Sequence, residues 1–300
     1  MTDSPDLFPG FTSRYIGTEA GRIFVRIGGD GPPLVLLHGF PETGVMWHRL
    51  APALAERFTV VVPDLRGYGW SSAPTSHGGE NYTKRAMGTD VVALMEELGH
   101  ARFALAGHDR GGRVAYRLAL DHPGRLTRLA LLDIVPTIEV WHSIERGEGG
   151  AQHWSFLAEP EPKPEKTIAE NPDSYFLGLI RLWAKGKTLQ TFDPQAISAY
   201  RAAWGDPSRI HAFCEDYRAG ASQDRIADEA DLAAGKRIGC PTLILASGDY
   251  LVKPGQETPL SIWQRTFTPD AAGVTIPSGH FIAEENAPDT LAALRQFLGS

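Results

Sequence analysis

The stretch ARFALAGHDRGGRVAYR, residues 101–117, decides the fold of this chain. Its apolar run at 103–106 predicts a buried strand, and the residues from 114 onward continue at helical spacing. Glycines between the two runs predict a sharp turn, which we call the elbow (GHDRG, residues 107–111). A turn of this kind, usually written G-x-S-x-G, lifts one side chain out at the carboxyl edge of a parallel sheet. Here that side chain is Asp109, and the simpler alternative is that Asp109 only caps the following helix.

Strands and helices alternate along most of the remaining chain. Continuous apolar runs are typical of strands that helices cover on both faces, and helical stretches separate these runs. The predicted strands are 13–18 and 22–27, which form a hairpin, then 33–37, 59–62, 103–107, 126–134, 241–245 and 273–276; further helices are predicted at 47–57, 83–98 and 289–298. This alternation predicts an α/β fold with one mostly parallel, doubly wound sheet.

The alternation stops after residue 136. Connections between strand and helix in such folds usually have about 2–6 residues, whereas residues 137–227 contain helical pieces and loops but no apolar strand. We therefore expect a helical cap at 137–227, inserted into an α/β core formed by 1–136 and 228–300. The cap contains four of the seven tryptophans, which suits a lid over an apolar pocket as well as the cap's own core. These residues are Trp141, Trp154, Trp183 and Trp204.

Composition and charge disfavour several classes of function. The net charge of −7 and the lack of a basic cluster argue against nucleic acid and anionic membranes as partners. No apolar run approaches the roughly 20 residues of a membrane span, and the first residues lack a signal-peptide pattern, so we expect a cytoplasmic protein. Cys214 and Cys240 lie far apart without metal-ligand spacing, which argues against a disulfide framework and a zinc site. We expect neither a metal nor a cofactor.

Three further positions complete a catalytic constellation around the elbow. His280 follows the last predicted strand, where a general base can face Asp109, and Asp133 ends the strand after the elbow, where it can orient that histidine. Phe40 lies in HGFP (residues 38–41), so its N–H and that of Arg110 could form an oxyanion hole. Taken singly, these positions have ordinary alternatives: a loop histidine, a helix-capping carboxylate and a Gly-Pro turn. The order of nucleophile, acid and histidine, each at a strand end, favours the catalytic interpretation.

An aspartate in the elbow indicates carboxylate chemistry at carbon. A carboxylate that attacks an sp³ carbon from behind displaces a leaving group and forms an enzyme ester, which a water activated by His280 then hydrolyses. Arg110 adjoins Asp109, and Arg113 follows one helical turn after it, so both could offer forked donors to an anionic substrate. The alternative for the two arginines is a surface or salt-bridged pair.

The chain resembles the α/β-hydrolase superfamily over essentially its whole length and, within it, the fluoroacetate (haloacetate) dehalogenases. The segments that carry this resemblance are HGFPETGVMWHR, GHDRGGRVAYR, LLDIVPT, HWSFLAEPEPKPE, CEDYRAG and SGHFIAEE, which follow the family's order. HGFP and the elbow are shared with epoxide hydrolases. The two arginines and the cap residues His153, Trp154 and Tyr217 are more specific.

The resemblance implies a role for each of these residues. The nucleophile is Asp109, the base is His280, and the partner of the base is Asp133. Arg110 and Arg113 are implied to hold the substrate carboxylate, and His153, Trp154 and Tyr217 to receive the departing halide. The residues alone would favour packing for these three cap side chains. The family further implies a small haloacid and water as partners, and a homodimer.

Rival interpretations depend on particular residues. Haloalkane dehalogenases resemble this chain in the elbow but carry a tryptophan where Arg110 stands, and an arginine suits an anionic substrate. Epoxide hydrolases use two cap tyrosines, for which Tyr200 and Tyr217 are the candidates. Many α/β-hydrolases place their acid after the next-to-last strand, but Asp249 there is one residue early and suits a turn. A ligand-binding protein without catalysis is a further alternative.

Overall fold

An eight-stranded sheet forms the centre of the molecule in a computed structural model, which describes residues 7–148 and 151–299. The strands are β1 (Thr12–Thr18), β2 (Gly21–Gly28), β3 (Pro33–Leu37), β4 (Thr59–Pro63), β5 (Phe103–His108), β6 (Leu126–Leu132), β7 (Thr242–Ser247) and β8 (Ala272–Ile276). Their order across the sheet is β1-β2-β4-β3-β5-β6-β7-β8. β2 is antiparallel to β1 and β4, and the other neighbours are parallel. The predicted fold class is confirmed.

Helices cover both faces of this sheet, which is why every residue of β5 and β7 is buried. The α-helices are α1 (Ala51–Leu54), α2 (Lys84–Glu97), α3 (Asp109–Asp121), α4 (Thr137–Glu145), α5 (Gln152–Leu157), α6 (Lys163–Ala169), α7 (Pro172–Trp183), α8 (Pro194–Trp204), α9 (Pro207–Ala219), α10 (Arg225–Ala233), α11 (Pro259–Thr266), α12 (Ile282–Glu285) and α13 (Ala287–Gly299). Short 3₁₀ turns occupy Gly44–Trp47, Glu80–Tyr82 and Lys185–Lys187, and Gly220–Asp224 forms a π-helical turn. Among the described residues, no helix has the length and apolar character that a membrane span requires.

Most predicted elements are confirmed, with two differences. The helix predicted at 47–57 is wrong in extent, since only Ala51–Leu54 is α-helical. Pro52 is consistent with this start, because proline is favoured in the first turn of a helix, and the chain before it forms the 3₁₀ turn Gly44–Trp47. The strand predicted at 126–134 ends at Leu132, because Asp133 adopts a φ of +56°, which no strand residue can have.

The segment between β6 and β7 is helical, from α4 to α10, in its described part. The division into a core of 1–136 and 228–300 and a cap of 137–227 stays a prediction, and α10 runs across its boundary at residue 227. The four cap tryptophans have different surroundings. Trp204 packs on Phe176 inside the cap with ring centroids 5.0 Å apart, whereas Trp154 and Trp183 line a cavity between cap and sheet.

Candidate active site

The elbow holds Asp109 in strained backbone at the start of α3. Its φ is +43°, in the left-handed region that residues other than glycine rarely adopt. Neighbouring glycines make this turn possible: a Cβ on Gly107 would lie 2.5 Å from the Gly111 oxygen, and one on Gly111 would lie 2.4 Å from the His38 oxygen. The close approach therefore projects the Asp109 carboxylate beyond the carboxyl end of β5, as the sequence pattern predicts.

Asp133 and His280 meet at the ends of β6 and β8. His280 Nδ1 lies 2.7 Å from Asp133 Oδ2, and the other carboxylate oxygen accepts the Ser247 N–H at 2.6 Å. Both oxygens of Asp133 are therefore engaged, which fixes the plane of the carboxylate and, through it, the imidazole. On the far side of the ring, His280 Nε2 lies 3.8 Å from Asp109 Oδ2, which exceeds a hydrogen bond. This geometry suits a base that acts on a water rather than on Asp109 itself.

The Asp109 carboxylate is buried and remains ionised. Burial by itself would raise its pKa, but the charges of His280, His108, Arg113 and Arg110 together hold the pKa of Asp109 below its ordinary value. The Phe40 N–H donates to Asp109 Oδ1 at 2.9 Å, at the predicted oxyanion position. The Arg110 N–H lies in the first turn of α3, where backbone donors have no partner within the helix. Its place as the second oxyanion donor stays a prediction.

Asp249 lies away from this triad. Its carboxylate pairs with Lys185 at 2.8 Å, and both side chains are about half exposed. Its neighbour Tyr250 occupies the position next to the base, with ring centroids of Tyr250 and His280 4.7 Å apart. Geometry thus favours Asp133 over Asp249 as the partner of His280.

Arg113 is a buried cation that forms no salt bridge with any carboxylate in the described part of the chain. Its Nη1 donates to the Val135 oxygen at 3.0 Å and to Thr137 Oγ1 at 3.2 Å, both neutral acceptors. Its Nε is buried and has no hydrogen-bond partner among the described residues. Burial, and then the charge of Arg110, lowers the pKa of Arg113, which reflects the free energy of keeping this cation out of water.

Arg110 differs because it forms a salt bridge with Asp216 of α9, through Nη2 at 2.7 Å and Nε at 3.0 Å. The sequence left open that the two arginines form salt bridges. Within the part of the chain that the structure describes, this holds for Arg110 and not for Arg113. Only Nη1 of Arg110 is left, buried and without a hydrogen-bond partner among the described residues.

The three cap side chains form one aromatic cluster above the arginines. Ring centroids of Tyr217 lie 5.6 Å from Trp154 and 5.7 Å from His153. The Trp154 ring is close to both cations, 4.4 Å from the Arg113 guanidinium and 5.2 Å from that of Arg110. Burial lowers the pKa of His153 to about 3, so its imidazole is neutral.

A cavity of about 630 Å³ joins these groups to solvent. Its inner wall includes Asp109, Arg113, His153, Trp154 and His280, and its outer part lies between α4, α11 and the loop after β7. Phe40, Arg110 and Tyr217 are not in its lining but contact residues that are. The structure thus brings all nine predicted site residues to one end of the sheet.

Comparison with known proteins agrees with this arrangement. Residues 32–287 match the family model described as alpha/beta hydrolase fold. The fluoroacetate dehalogenase of Burkholderia sp is 42% identical over 298 residues, covering 97% of this chain and 95% of that protein. The chain belongs to the haloacetate dehalogenase family of the α/β-hydrolase superfamily. The resemblance stated from the sequence is confirmed.

Other relatives and solved structures have a similar or lower sequence identity to this chain. The soluble epoxide hydrolase of Corynebacterium sp. (strain C12) is 30% identical over 273 residues, 88% of this chain and 89% of that protein. A candidate α/β hydrolase of known structure from Nostoc sp PCC 7120 is 42% identical with a TM-score of 0.89, covering 96% of this chain and 98% of that one. A mutant of a candidate epoxide hydrolase from Pseudomonas aeruginosa, solved with bound MFA, is 41% identical with a TM-score of 0.89, covering 98% and 97%.

Sequence reasoning did not identify two charged neighbours of the site, Asp216 and Lys84, which form part of the ionic surroundings of Arg110. Trp183, named from the sequence as one of four tryptophans suited to a lid, packs on His153 with ring centroids 4.5 Å apart. Lys84 starts a helix far from the elbow in sequence, and Asp216 is one of several acids on α9. Nothing in their local pattern distinguishes them from surface charges, because only the packing of cap on core buries them.

Proposed function

We propose that this protein is a hydrolytic dehalogenase of haloacetates, which converts fluoroacetate or chloroacetate to glycolate and halide through an ester on Asp109. Asp109 Oδ2, on the side of His280, attacks the halogen-bearing carbon, and the halide leaves with the electron pair of the carbon–halogen bond. His280 then removes a proton from water, whose oxygen attacks the ester carbonyl. Charge developing on Oδ1 is stabilised by the Phe40 N–H, and glycolate leaves as the ester bond breaks.

One observation carries the proposal: Arg113 is a buried cation near the ionised Asp109, and it forms no salt bridge with a carboxylate among the described residues. A buried charge is costly unless an opposite charge or strong hydrogen bonds compensate it. A substrate carboxylate would supply that charge and would accept forked hydrogen bonds from the guanidinium. The carboxylate of a haloacid, held there, brings its α-carbon towards Asp109.

The cap cluster suits the departing halide. Neutral His153, the indole of Trp154 and the hydroxyl of Tyr217 each carry an N–H or O–H, and burial raises the pKa of Tyr217 well above its usual value, so that its proton stays in place. Fluoride concentrates its charge on a small atom, so directed donors lower the barrier for its departure more than for chloride.

Epoxide hydrolysis, the main alternative, has less support. The two candidate tyrosines have different surroundings. Tyr200 lies beside Glu284, whereas Tyr217 packs against Trp154 and the Arg110 guanidinium. A protein without catalysis would not need Asp109 in strained backbone with His280 and Asp133 aligned behind it. Homodimer formation and a cytoplasmic location stay predictions.

The experiment is an assay of halide release with fluoroacetate and chloroacetate, run beside diol formation from a simple epoxide. We expect both haloacetates to be hydrolysed to glycolate and the epoxide to be left intact. Efficient epoxide opening without halide release would replace this function by the alternative. Turnover of neither class, with ligand binding retained, would favour the non-catalytic protein.

A further inference from the structure

Asp216, on α9, lies at the centre of a buried polar network that joins the cap segment to the core. Its carboxylate accepts hydrogen bonds from the Tyr68 hydroxyl at 2.6 Å and from two nitrogens of Arg110. The Lys84 ammonium donates to the same carboxylate. All four side chains are buried, with no more than 1% of any residue exposed. A network buried this completely has little freedom to rearrange, because each lost contact leaves an uncompensated polar group.

Asp216 uses most of the donors of Arg110. Nε and Nη2 donate to its carboxylate, and Nη2 also donates to the Asp216 backbone oxygen at 2.8 Å. A planar guanidinium that is held at two nitrogens has a fixed plane and a fixed direction for its third nitrogen. Asp216 therefore fixes the direction of the unpartnered Nη1 before any ligand binds, in a guanidinium that lies against Trp154 of the cavity wall.

Lys84 is a second cation on the Asp216 carboxylate, which it shares with Arg110. Asp216 and Asp224 together balance the two cations. Burial alone would raise the pKa of Asp216, yet the charges of Arg110 and Lys84 hold it well below its ordinary value. Asp216 is thus ionised, and Lys84 itself lies 3.5 Å from Asp224.

The network also sets how Arg110 meets the aromatic cluster. The Arg110 guanidinium lies 4.3 Å from the centroid of the Tyr217 ring, and Tyr217 follows Asp216 directly on α9. One helix turn therefore places both the anchor of Arg110 and a proposed halide donor. A displacement of Asp216 would move the two together.

We propose that Asp216 is a positioning residue for the substrate carboxylate: it fixes Arg110 so that Nη1 faces the bound acid, while Lys84 balances the charge of Asp216. The inference rests on the proposed function, because the orientation of Arg110 matters for an anionic substrate. The two arginines then have different roles. Arg113 supplies a cation that has no salt-bridge partner among the described residues, and Arg110 supplies one hydrogen-bond donor of fixed direction.

The test compares chloroacetate with chloroacetamide, its neutral counterpart, in the full-length protein. Asp216→Asn should raise KM for chloroacetate about tenfold and change kcat by less than about threefold, because a contact made equally in ground and transition state affects KM alone. The efficiency ratio of chloroacetate to chloroacetamide should fall by about the same factor. In an Arg110→Met background, Asp216→Asn should add almost nothing to KM, since it acts through the missing guanidinium.

The matched control is Asp90→Asn. Asp90 is also a buried aspartate that accepts two hydrogen bonds from an arginine, here Arg66 at 2.7 and 2.9 Å, and no contact among the described residues joins it to Arg110 or Arg113. Its replacement should lower the melting temperature without changing the substrate ratio. The positioning role is overturned if Asp216→Asn leaves the substrate ratio unchanged, as the control does. It is also overturned if Asp216→Asn raises KM by the same factor in the Arg110→Met background as in the parent protein.

A second variant covers the case in which Asp216→Asn does not fold. Lys84→Met keeps Asp216 paired with Arg110 but removes the balancing charge, so the same ratio should fall severalfold, and an unchanged ratio contradicts the inference. Parent protein that releases no halide from chloroacetate would instead count against the proposed function itself, so the two failures are distinct.

Discussion

Three buried carboxylates in this molecule differ in how many of their oxygens accept hydrogen bonds. Asp109 has one oxygen on the Phe40 N–H and the other towards His280, without a hydrogen bond to it. Asp133 has both oxygens engaged, and Asp216 accepts from three side chains. A carboxylate can attack carbon only with a lone pair that no donor occupies. Asp109 meets that condition, and the other two are held in supporting positions.

Replacing His280 by Asn should separate the two steps of the reaction. Alkylation of Asp109 does not need a base, whereas hydrolysis of the ester does, so the ester should accumulate. Intact-protein mass spectrometry after incubation with chloroacetate should show one added carboxymethyl group, and peptide mapping should place it on Asp109. An unmodified His280→Asn protein, with Asp109→Asn still active, would refute the assignment of the nucleophile.

Asp133→Asn should slow turnover far more than Asp249→Asn does. Asp133 holds His280 at 2.7 Å and stabilises the imidazolium that forms when water is deprotonated. Asp249 pairs with half-exposed Lys185, an interaction worth about 0–1 kcal/mol, and serves as the matched control. Steady-state kinetics on chloroacetate decides the ranking, and the opposite order would transfer the acid to Asp249.

At the scale of elements, α3 is the part of the chain on which chemistry and folding depend together. Its first residue is the proposed nucleophile, and its glycines allow it to touch the end of β3. The helix N-terminus also favours a negative charge at Asp109. The same close contact that exposes the carboxylate leaves no room for side chains at the turn.

Gly111→Ala should therefore destabilise the protein and abolish activity. An added Cβ would lie 2.4 Å from the backbone oxygen of His38, and the backbone cannot yield without moving β3. The control is Gly178→Ala in α7, where a Cβ meets nothing within 4 Å, and which should stabilise the protein by roughly 0.5–1 kcal/mol. Thermal unfolding of both variants measures the contrast, and equal melting temperatures would contradict it.

Two cap helices, α5 and α9, assemble the proposed halide donors. Tyr217→Phe removes one donor and keeps the ring, so the fluoroacetate barrier should rise on the order of 3 kcal/mol, by analogy with loss of one oxyanion donor. The chloroacetate barrier should rise less, because chloride needs less directed stabilisation. The same change at Tyr200, which lies beside Glu284 and not in the cluster of His153, Trp154 and Tyr217, should leave the fluoride-to-chloride ratio unaltered. Equal slowing of both substrates by Tyr217→Phe would make Tyr217 a packing residue.

For the whole molecule, a buried acidic pair beneath the site sets the response of stability to pH. Glu42 and Glu284 are fully buried, with Tyr200 and His108 close by. Burial raises the pKa of Glu42 to about 8, and burial followed by the charge of Glu42 raises the pKa of Glu284 well above its usual value. Both side chains are therefore protonated at neutral pH.

We expect the melting temperature to fall as the pH rises from 6 to 9. A group whose folded pKa is raised stabilises the fold fully below its unfolded pKa, and this contribution is lost as the pH rises through the folded pKa, here about 8 for Glu42. Glu42→Gln, which mimics the protonated form, should reduce that decline. In the free energy of unfolding the difference from the parent should be a few kcal/mol at most. Glu97→Gln, on the exposed side of α2, is the control. A decline that is identical in Glu42→Gln and the parent would contradict this account.

Local sequence determined the sheet, the elbow and the chain order of Asp109, Asp133 and His280. These features depend on the period of apolar residues, on glycines that allow close contact, and on strand ends that converge at one edge of a parallel sheet. The family resemblance added the cap residues, which periodicity alone would have assigned to packing. The start of α1 was mispredicted, although Pro52 in the sequence indicates it.

Only the tertiary structure decided which charges pair. Arg110 and Arg113 are alike in sequence, yet the fold places Asp216 on the first, whereas the second has neutral acceptors alone within residues 7–148 and 151–299. Lys84, Arg110 and Asp216 come from three separate helices, and their interaction exists because the cap closes over the core and removes water between them. The energy of a charge depends on what surrounds it within a few ångströms, and those neighbours are distant in sequence.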